Sequence, residues 1–281
     1  MRRPEIDGLR GIAILAVVLS HIDKDLLSNG HLGVDIFYVI SGFVITHSLV
    51  GRSQESASEF FIGFYNRRIK RLFPALFFCV AITMLFSLIV IPPNSQLFEV
   101  YIRTAISSLF GLSNFVLLEE ATDYLGASAA LNPFTHTWSL GVEEQFYLIF
   151  PVVVWFSVIR NNPAKEYRSF LIVSGIAFTL SLLTYIWLST KSPIHAFYMM
   201  PARLWELSAG ALTYTLQIKF TSWRPADSNL VKISAILSFI LIVLILASSN
   251  LETHQSLSTV GVTLLTVILI TSARSNSITL N

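Results

Sequence analysis

Charge is scarce in this sequence. Of its 281 residues only 13% are Asp, Glu, Lys or Arg, about half the roughly 25% of a soluble domain, while 53% are hydrophobic. Mean hydropathy is +0.65. Such a chain has too few ions to cover a water-facing surface, which excludes a soluble enzyme. Charge is missing altogether from 72–98, 169–190, 233–251 and 253–273. Each of these runs is long enough, as a helix, to cross about 30 Å of hydrocarbon. They are continuously apolar rather than alternating, which excludes a β-barrel. Cysteine is nearly absent. Cys79 stands alone inside an apolar run, so neither an intrachain disulfide nor a zinc site is expected, and its expected role is a packed apolar thiol. No small-residue cleavage site follows the first apolar stretch, so no cleaved signal peptide is expected. Internal repeats and low-complexity tracts are also absent. The chain reads as an all-α, polytopic transmembrane helical bundle in one domain, 1–281.

Spans are expected at 9–27, 33–50, 74–92, 138–159, 170–188, 199–217, 233–249 and 257–272, eight in all. Residues 104–118 are apolar too, but this run is short for a crossing and reads as a re-entrant or interfacial helix. Basic residues orient the bundle. Arg2, Arg3 and Arg10 mark the N-terminus, and Arg52, Arg67, Arg68, Lys70 and Arg71 mark the loop 51–73, so both are expected in the cytoplasm. If 104–118 dips in and returns, Arg160, Arg168, Lys219, Arg224, Lys232 and Arg274 also fall inside, and Glu119, Glu120 and Asp123 fall outside.

Ionisable groups at membrane depth are costly and mark candidate sites. Arg10 and His21 are eleven residues apart on the first span. At about 100° and 1.5 Å per residue they share one face and lie about 16 Å apart along the axis. A cation at the cytoplasmic mouth and a possible proton acceptor deeper in would line one passage; an anchoring arginine and a histidine bonded to a neighbouring helix are the plainer roles. Asp35, early in the second span, is placed to orient His21. The segment 64–74 puts Arg67, Arg68, Lys70 and Arg71 together, with Arg68 and Arg71 on one face if it is helical. Four cations in five residues can hold phosphates by charge-assisted bonds, or act as a topology signal touching anionic lipid heads.

Around Thr137-Trp138-Ser139, adjacent Glu143 and Glu144 sit in the first turns of a span, with His136 close by. The two carboxylates point about 100° apart and cannot both face one cavity directly. They and His136 could hold a hydroxylated acceptor or tune a proton relay; Trp138 and Tyr147 fit an interfacial aromatic belt. Ser139 is not in a nucleophile-elbow pattern. Arg203 and Glu206, three apart, read as a structural ion pair or a substrate contact, and Gly210 would let a neighbouring helix come close. His31 and His254 read as loop residues, and His47 and His195 as solvated or capping ones.

In sequence order, Ile6-Asp7-Gly8-Leu9-Arg10-Gly11 with His21, Gly33-Val34-Asp35-Ile36-Phe37-Tyr38 continuing to Phe43, and the segments 67–74, 136–147 and 203–210 resemble acyltransferase family 3. These are membrane O-acyltransferases that modify bacterial surface glycans. The last two segments are most similar to the O-antigen acetylase branch. The resemblance implies transfer of an acyl group, usually acetyl from acetyl-coenzyme A in the cytoplasm, to a hydroxyl of a surface or lipid-linked glycan across the bacterial inner membrane. It implies that His21 is the essential histidine, Arg10 its partner arginine, and Arg68 and Arg71, with Arg67 beside them, the donor-binding motif. His21 would act as a general base or carry the acyl group briefly itself. The expected partners are the acyl donor, the glycan and membrane lipids; no metal and no nucleic acid are expected. Family members carry a further helical region, and this branch often adds an outer esterase-like domain, so a C-terminally truncated acyltransferase is expected here. An exporter or channel using the same charges, or an inactive remnant, are the competing classes.

Overall fold

A computed structural model describes residues 4–23, 26–52, 56–122, 131–159, 167–219, 229–248 and 255–272. Arg2, Arg3, Asp123, Arg160, Arg224 and Arg274, which entered the charge reading, lie outside the described residues, as does His254. The described residues are helices and their connections, with no strand among them. They form α1 (Pro4–Ile22), α2 (Gly33–Val50), α3 (Ala57–Val90), α4 (Gln96–Leu109), α5 (Ser113–Thr122), α6 (Trp138–Val154), α7 (Tyr167–Lys191), α8 (Pro193–Tyr198), α9 (Met200–Lys219), α10 (Asn229–Ala247) and α11 (Gln255–Ser272).

Among the described residues six helical stretches are long and apolar enough to cross a membrane: Gly30–Val50, Ala57–Val90, Thr135–Ile159, Tyr167–Lys191, Asn229–Ala247 and Gln255–Ser272. The protein is therefore a multi-pass helical membrane protein. Six of the eight expected spans coincide with these stretches. The other two are helices as well, α1 and α9, but α1 carries Glu5, Asp7 and Arg10, and α9 carries Arg203 and Glu206, and neither is among the six.

The chain divides into two compact units, Met1–Ser48 with Tyr167–Thr179 and Trp205–Asn281, and Leu49–Glu166 with Leu180–Leu204. In the first, α1 buries Ile6, Leu9, Ala13 and Ala16, whose spacing of three and four residues draws one stripe along the helix. That stripe packs with Leu32, Ile36, Val39, Ile40 and Phe43 of the α2 region and with Ile242, Leu246, Val262, Leu269 and Ile270 of α10 and α11. Glycines bring the backbones together. A methyl at Gly33 would strike the Ala13 carbonyl and lie 3.0 Å from Val17 Cγ2, and one at Gly30 would lie 2.6 Å from Ser20 Cβ. The same logic joins α2 to α9, where Gly210 faces the Val39 carbonyl and Gly42 the Leu207 carbonyl. Asn29, 4% exposed, closes the end of α10: its backbone N–H donates to the Leu246 carbonyl and its amide to those of Ile245 and Ser248.

In the second unit α3 begins far earlier than expected. A capping box fixes its start, with the Ser56 side chain accepting from the Glu59 N–H and the Glu59 carboxylate accepting from the Ser56 N–H. The basic segment expected in a loop is thus helical. The charge-free remainder, 72–90, is about 28 Å long at 1.5 Å per residue, close to a hydrocarbon thickness. Only 11% of the apolar window of α3 is buried, and Cys79 is exposed on it rather than packed. The helix is too sparsely covered within this chain to enclose a thiol.

The short apolar run 104–118 is not one helix. α4 ends at Leu109, Gly111 takes φ 70°, and α5 starts at Ser113. The Gly111 N–H donates to the Ser108 carbonyl and the Leu112 N–H to that of Ser107, a Schellman ending that needs a residue tolerant of positive φ. The chain then doubles back, so Arg103 meets Glu119 at 2.7 Å and Thr104 donates to Glu120 at 3.0 Å. Buried polar side chains join this hairpin to the region leading into α6. Ser108 bonds Thr137 at 2.8 Å, Ser113 donates to the Thr137 carbonyl, and Asn132 donates to both oxygens of Glu120.

Candidate functional site

In the first unit α1 carries both Arg10 and His21, and both face away from its packed stripe or along its edge. The Arg10 guanidinium carbon lies 5.9 Å from the centre of the Phe37 ring on α2, and its buried Nε has no hydrogen-bond partner among the described residues. His21 is exposed at the last turn of α1. Its Nδ1 lies 2.8 Å from the carbonyl oxygen of Val17, one turn back. A carbonyl can only accept, so this contact puts the proton on Nδ1 and leaves the lone pair on Nε2. The backbone of the same helix thus occupies Nδ1. Asp35 itself is buried early in α2. Glu206, on α9, is fully buried, at 0% exposed.

In the second unit the four cations of α3 separate by environment. Arg67, Lys70 and Arg71 are exposed, whereas Arg68 is partly buried and turned onto α6. Aromatic and polar contacts dock the two helices beside it: Phe60 and Phe61 lie 5.2 and 5.8 Å from the Trp155 ring, and the Tyr65 hydroxyl donates to the Leu148 carbonyl at 3.0 Å. Arg68 then reaches Glu144 Oε1 at 3.2 Å, and its guanidinium carbon lies over Tyr147, 3.3 Å from the ring centre. The Tyr147 hydroxyl donates to Glu143 Oε1 at 3.0 Å, and Glu143 is 6% exposed. The adjacent carboxylates diverge as their helical positions require: Tyr147 bonds Glu143, and Arg68, over the Tyr147 ring, bonds Glu144. Arg68, Glu143 and Glu144 are thereby brought into one cluster.

The other candidates of this unit lie elsewhere. His136 is exposed on the turn before α6. Arg203 is 4% exposed, donates from Nε to the Phe197 carbonyl at 3.2 Å, and has Trp138, Tyr185 and Phe197 rings 5.3 to 5.7 Å from its guanidinium carbon. Such an enclosure stabilises a buried cation through the negative faces of the rings. Trp138 is therefore a wall of this box and not a belt residue. Glu119 and Glu120, expected side by side on the outer face, also diverge. Burial pushes the Glu120 carboxyl above the usual carboxylate range, opposed by hydrogen bonds from Asn132 and Thr104 and by the charge of Arg103.

Sequence reasoning missed Tyr147 as a partner of Arg68, although its position three residues after Glu144 and four after Glu143 places all three on adjoining parts of one helix surface. It also missed Gly111 and Gln145. The Gln145 amide donates to the Gly111 carbonyl at 3.0 Å and to Asn114 Oδ1 at 2.8 Å, and a methyl at Gly111 would lie 3.0 Å from Glu144 Cβ.

Comparison with known proteins bears on this arrangement. A family model described as an acyltransferase domain matches residues 3–280. The chain is similar to the O-acetyltransferase OatA of Staphylococcus aureus strain NCTC 8325, 35% identical over 209 residues, which cover 74% of this chain and 34% of that protein. It is also similar to the peptidoglycan O-acetyltransferase OatA of Listeria monocytogenes, 29% identical over 214 residues, covering 74% of this chain and 33% of that one. The chain thus spans about a third of the length of these curated relatives. No solved structure matches it. With the family model extending over nearly its whole length, the chain belongs to acyltransferase family 3.

Proposed function

We propose that this chain is the membrane-embedded transfer domain of an O-acetyltransferase, moving acetyl from an acyl-coenzyme A to a hydroxyl of a cell-envelope glycan. The observation that carries the reading is the Nδ1 contact of His21 with Val17, because in the neutral ring it directs the lone pair to Nε2, on a helix that also carries Arg10. In the base route, Nε2 takes the proton of the sugar hydroxyl while its oxygen adds to the thioester carbonyl. The carbon–sulfur bond then breaks, and the leaving thiolate recovers the proton from Nε2. In the covalent route Nε2 itself adds to the thioester carbonyl, the thiolate leaves, and the sugar oxygen then displaces the imidazole while its hydroxyl proton passes to the thiolate. Both routes need the same nitrogen, and both end in an acetyl ester and a free thiol.

The donor carries phosphates, and the exposed Arg67, Lys70 and Arg71 at the charged end of α3, just before its apolar 72–90 portion, suit them. Basic residues at this position favour the cytoplasmic side for it and for the N-terminus, in a bacterial inner membrane. The returning α4–α5 hairpin supports the arrangement in which 104–118 dips and does not cross. For the acceptor, the name of the Listeria relative favours peptidoglycan over the O-antigen expected from the sequence.

The test uses the chain in lipid nanodiscs with acetyl-labelled coenzyme A and, in parallel, muropeptide fragments and O-antigen polysaccharide, reading both thiol release and glycan label. Loss of a positioned base costs about 10²–10⁴-fold in rate, so His21→Ala should fall to background while coenzyme A binding holds within about twofold. Glycan labelling at an undiminished rate in His21→Ala would remove the proposed role of the histidine.

A further inference from the structure

Arg68 differs from its three cationic neighbours in being partly buried. On its α6 side it is held by a carboxylate at 3.2 Å and a ring face at 3.3 Å, and that ring is itself anchored through its hydroxyl to Glu143. Glu144 is restrained from behind. The tip of the α4–α5 hairpin comes so close that a methyl on Gly111 would lie 3.0 Å from Glu144 Cβ, and the next residue, Gln145, bonds that same tip through the Gly111 carbonyl and Asn114. A guanidinium has five N–H donors in a rigid fork, and Glu144 takes one of them. Nε is buried with no partner among the described residues, so it is the remaining Nη donors that are left to a ligand, in an orientation set by α6 and not by the rotamers of a long side chain.

From this geometry we infer that Glu144 is a positioning residue for Arg68: with the Tyr147–Glu143 pair it holds the guanidinium ready for a phosphate of the donor, while the exposed Arg71 meets the donor as a mobile counter-charge. Glu144 is an ally of the donor here and not its competitor, since it engages one donor of the fork and leaves the others. The inference rests on the reading that the basic segment of α3 meets the acyl donor.

The experiment measures the dissociation constant of coenzyme A by calorimetry, with the chain in nanodiscs, for Arg71→Ala, Arg68→Gln, Glu144→Gln, Glu144→Asp and the double variant Arg68→Gln/Glu144→Gln, alongside each variant's apparent melting temperature. Losing the alignment of one charge-assisted contact is worth about tenfold in affinity. Glu144→Gln should therefore weaken binding about tenfold, Glu144→Asp should recover part of it, and the double variant should bind no more weakly than Arg68→Gln alone. If Arg68→Gln and Arg71→Ala weaken binding but Glu144→Gln leaves it unchanged or tightens it, the positioning role is overturned. So too if the double variant is fully additive, or if melting falls in every Glu144 variant with no change in affinity. If neither arginine variant moves the affinity, it is the donor reading itself that fails, which the panel separates from failure of the positioning role.

Discussion

The crossing of α2 and α9 in the first unit offers a perturbation whose size can be worked out. A methyl added at Gly42 would lie 2.7 Å from the Leu207 carbonyl carbon, with the oxygen closer still. One added at Gly210 would lie 2.6 Å from the Phe43 nitrogen, with the Val39 carbonyl oxygen nearer again. These obstacles are helix backbone and cannot rotate away, so the helices must part. Comfortable carbon contacts need roughly 3.5–4.0 Å, which demands about 1 Å of separation, and a gap of that size forfeits about a quarter to a half of the dispersion energy of each contact it opens. Overpacking of this kind costs about 1–3 kcal/mol. At a central value of about 2 kcal/mol, either Gly42→Ala or Gly210→Ala should lower the apparent melting temperature by roughly 4–8 °C. Once one methyl has separated the helices the second meets less resistance, so the double variant should fall short of the sum by about 0.5 kcal/mol or more. The assay is a thermal-shift measurement in one detergent for wild type, both singles and the double. Melting within about a degree of wild type in both singles would refute the close approach, and strict additivity would refute its being shared.

Two further outcomes are expected. Asn29→Ala leaves two carbonyls at the end of α10 without that amide, at a cost of about 1–3 kcal/mol if they stay buried, so hydrogen exchange should rise locally around 245–248; uniform exchange across the unit would contradict a local cap. For Glu120 the folded carboxyl holds its proton more tightly than the unfolded one, so its contribution to stability is fully present below the ordinary carboxylate value and is lost as pH rises through the raised one. Glu120→Gln, which keeps an oxygen for Asn132 and Thr104, should flatten the melting temperature across that window; parallel curves for the two proteins would discount the buried carboxylate.

The helices were legible where charge disappears, as in α7, α10 and α11, because hydrocarbon tolerates so few ions that their absence outlines a span. α3 was legible only in its second half. Its first half is charged and reads as a loop by hydropathy, although Ser56 and Glu59 spell a capping box three residues apart. Gly111 held the signal that splits 104–118, since only a residue at ease with positive φ ends one helix and turns into the next. The spacing of Arg10 and His21 places both on one helix, as in α1, but the acceptor for Nδ1 is a backbone carbonyl, which every helical residue offers and no side chain announces. Asp35 drew attention because carboxylates often orient histidines. The clamp on Arg68 joins residues 76 positions apart in sequence, and no local pattern predicts which of four neighbouring cations turns inward.

The most direct test of transfer across the membrane is sidedness. Labelled acetyl-coenzyme A would be sealed inside membrane vesicles bearing the chain, with glycan acceptor supplied only outside, and the opposite arrangement run beside it. The account predicts label on the external glycan when the basic end of α3 and the donor share the vesicle interior, no label with His21→Ala, and none with donor and basic end on opposite sides. Label appearing at the same rate in His21→Ala, or with the donor on the face opposite the basic end, would contradict it.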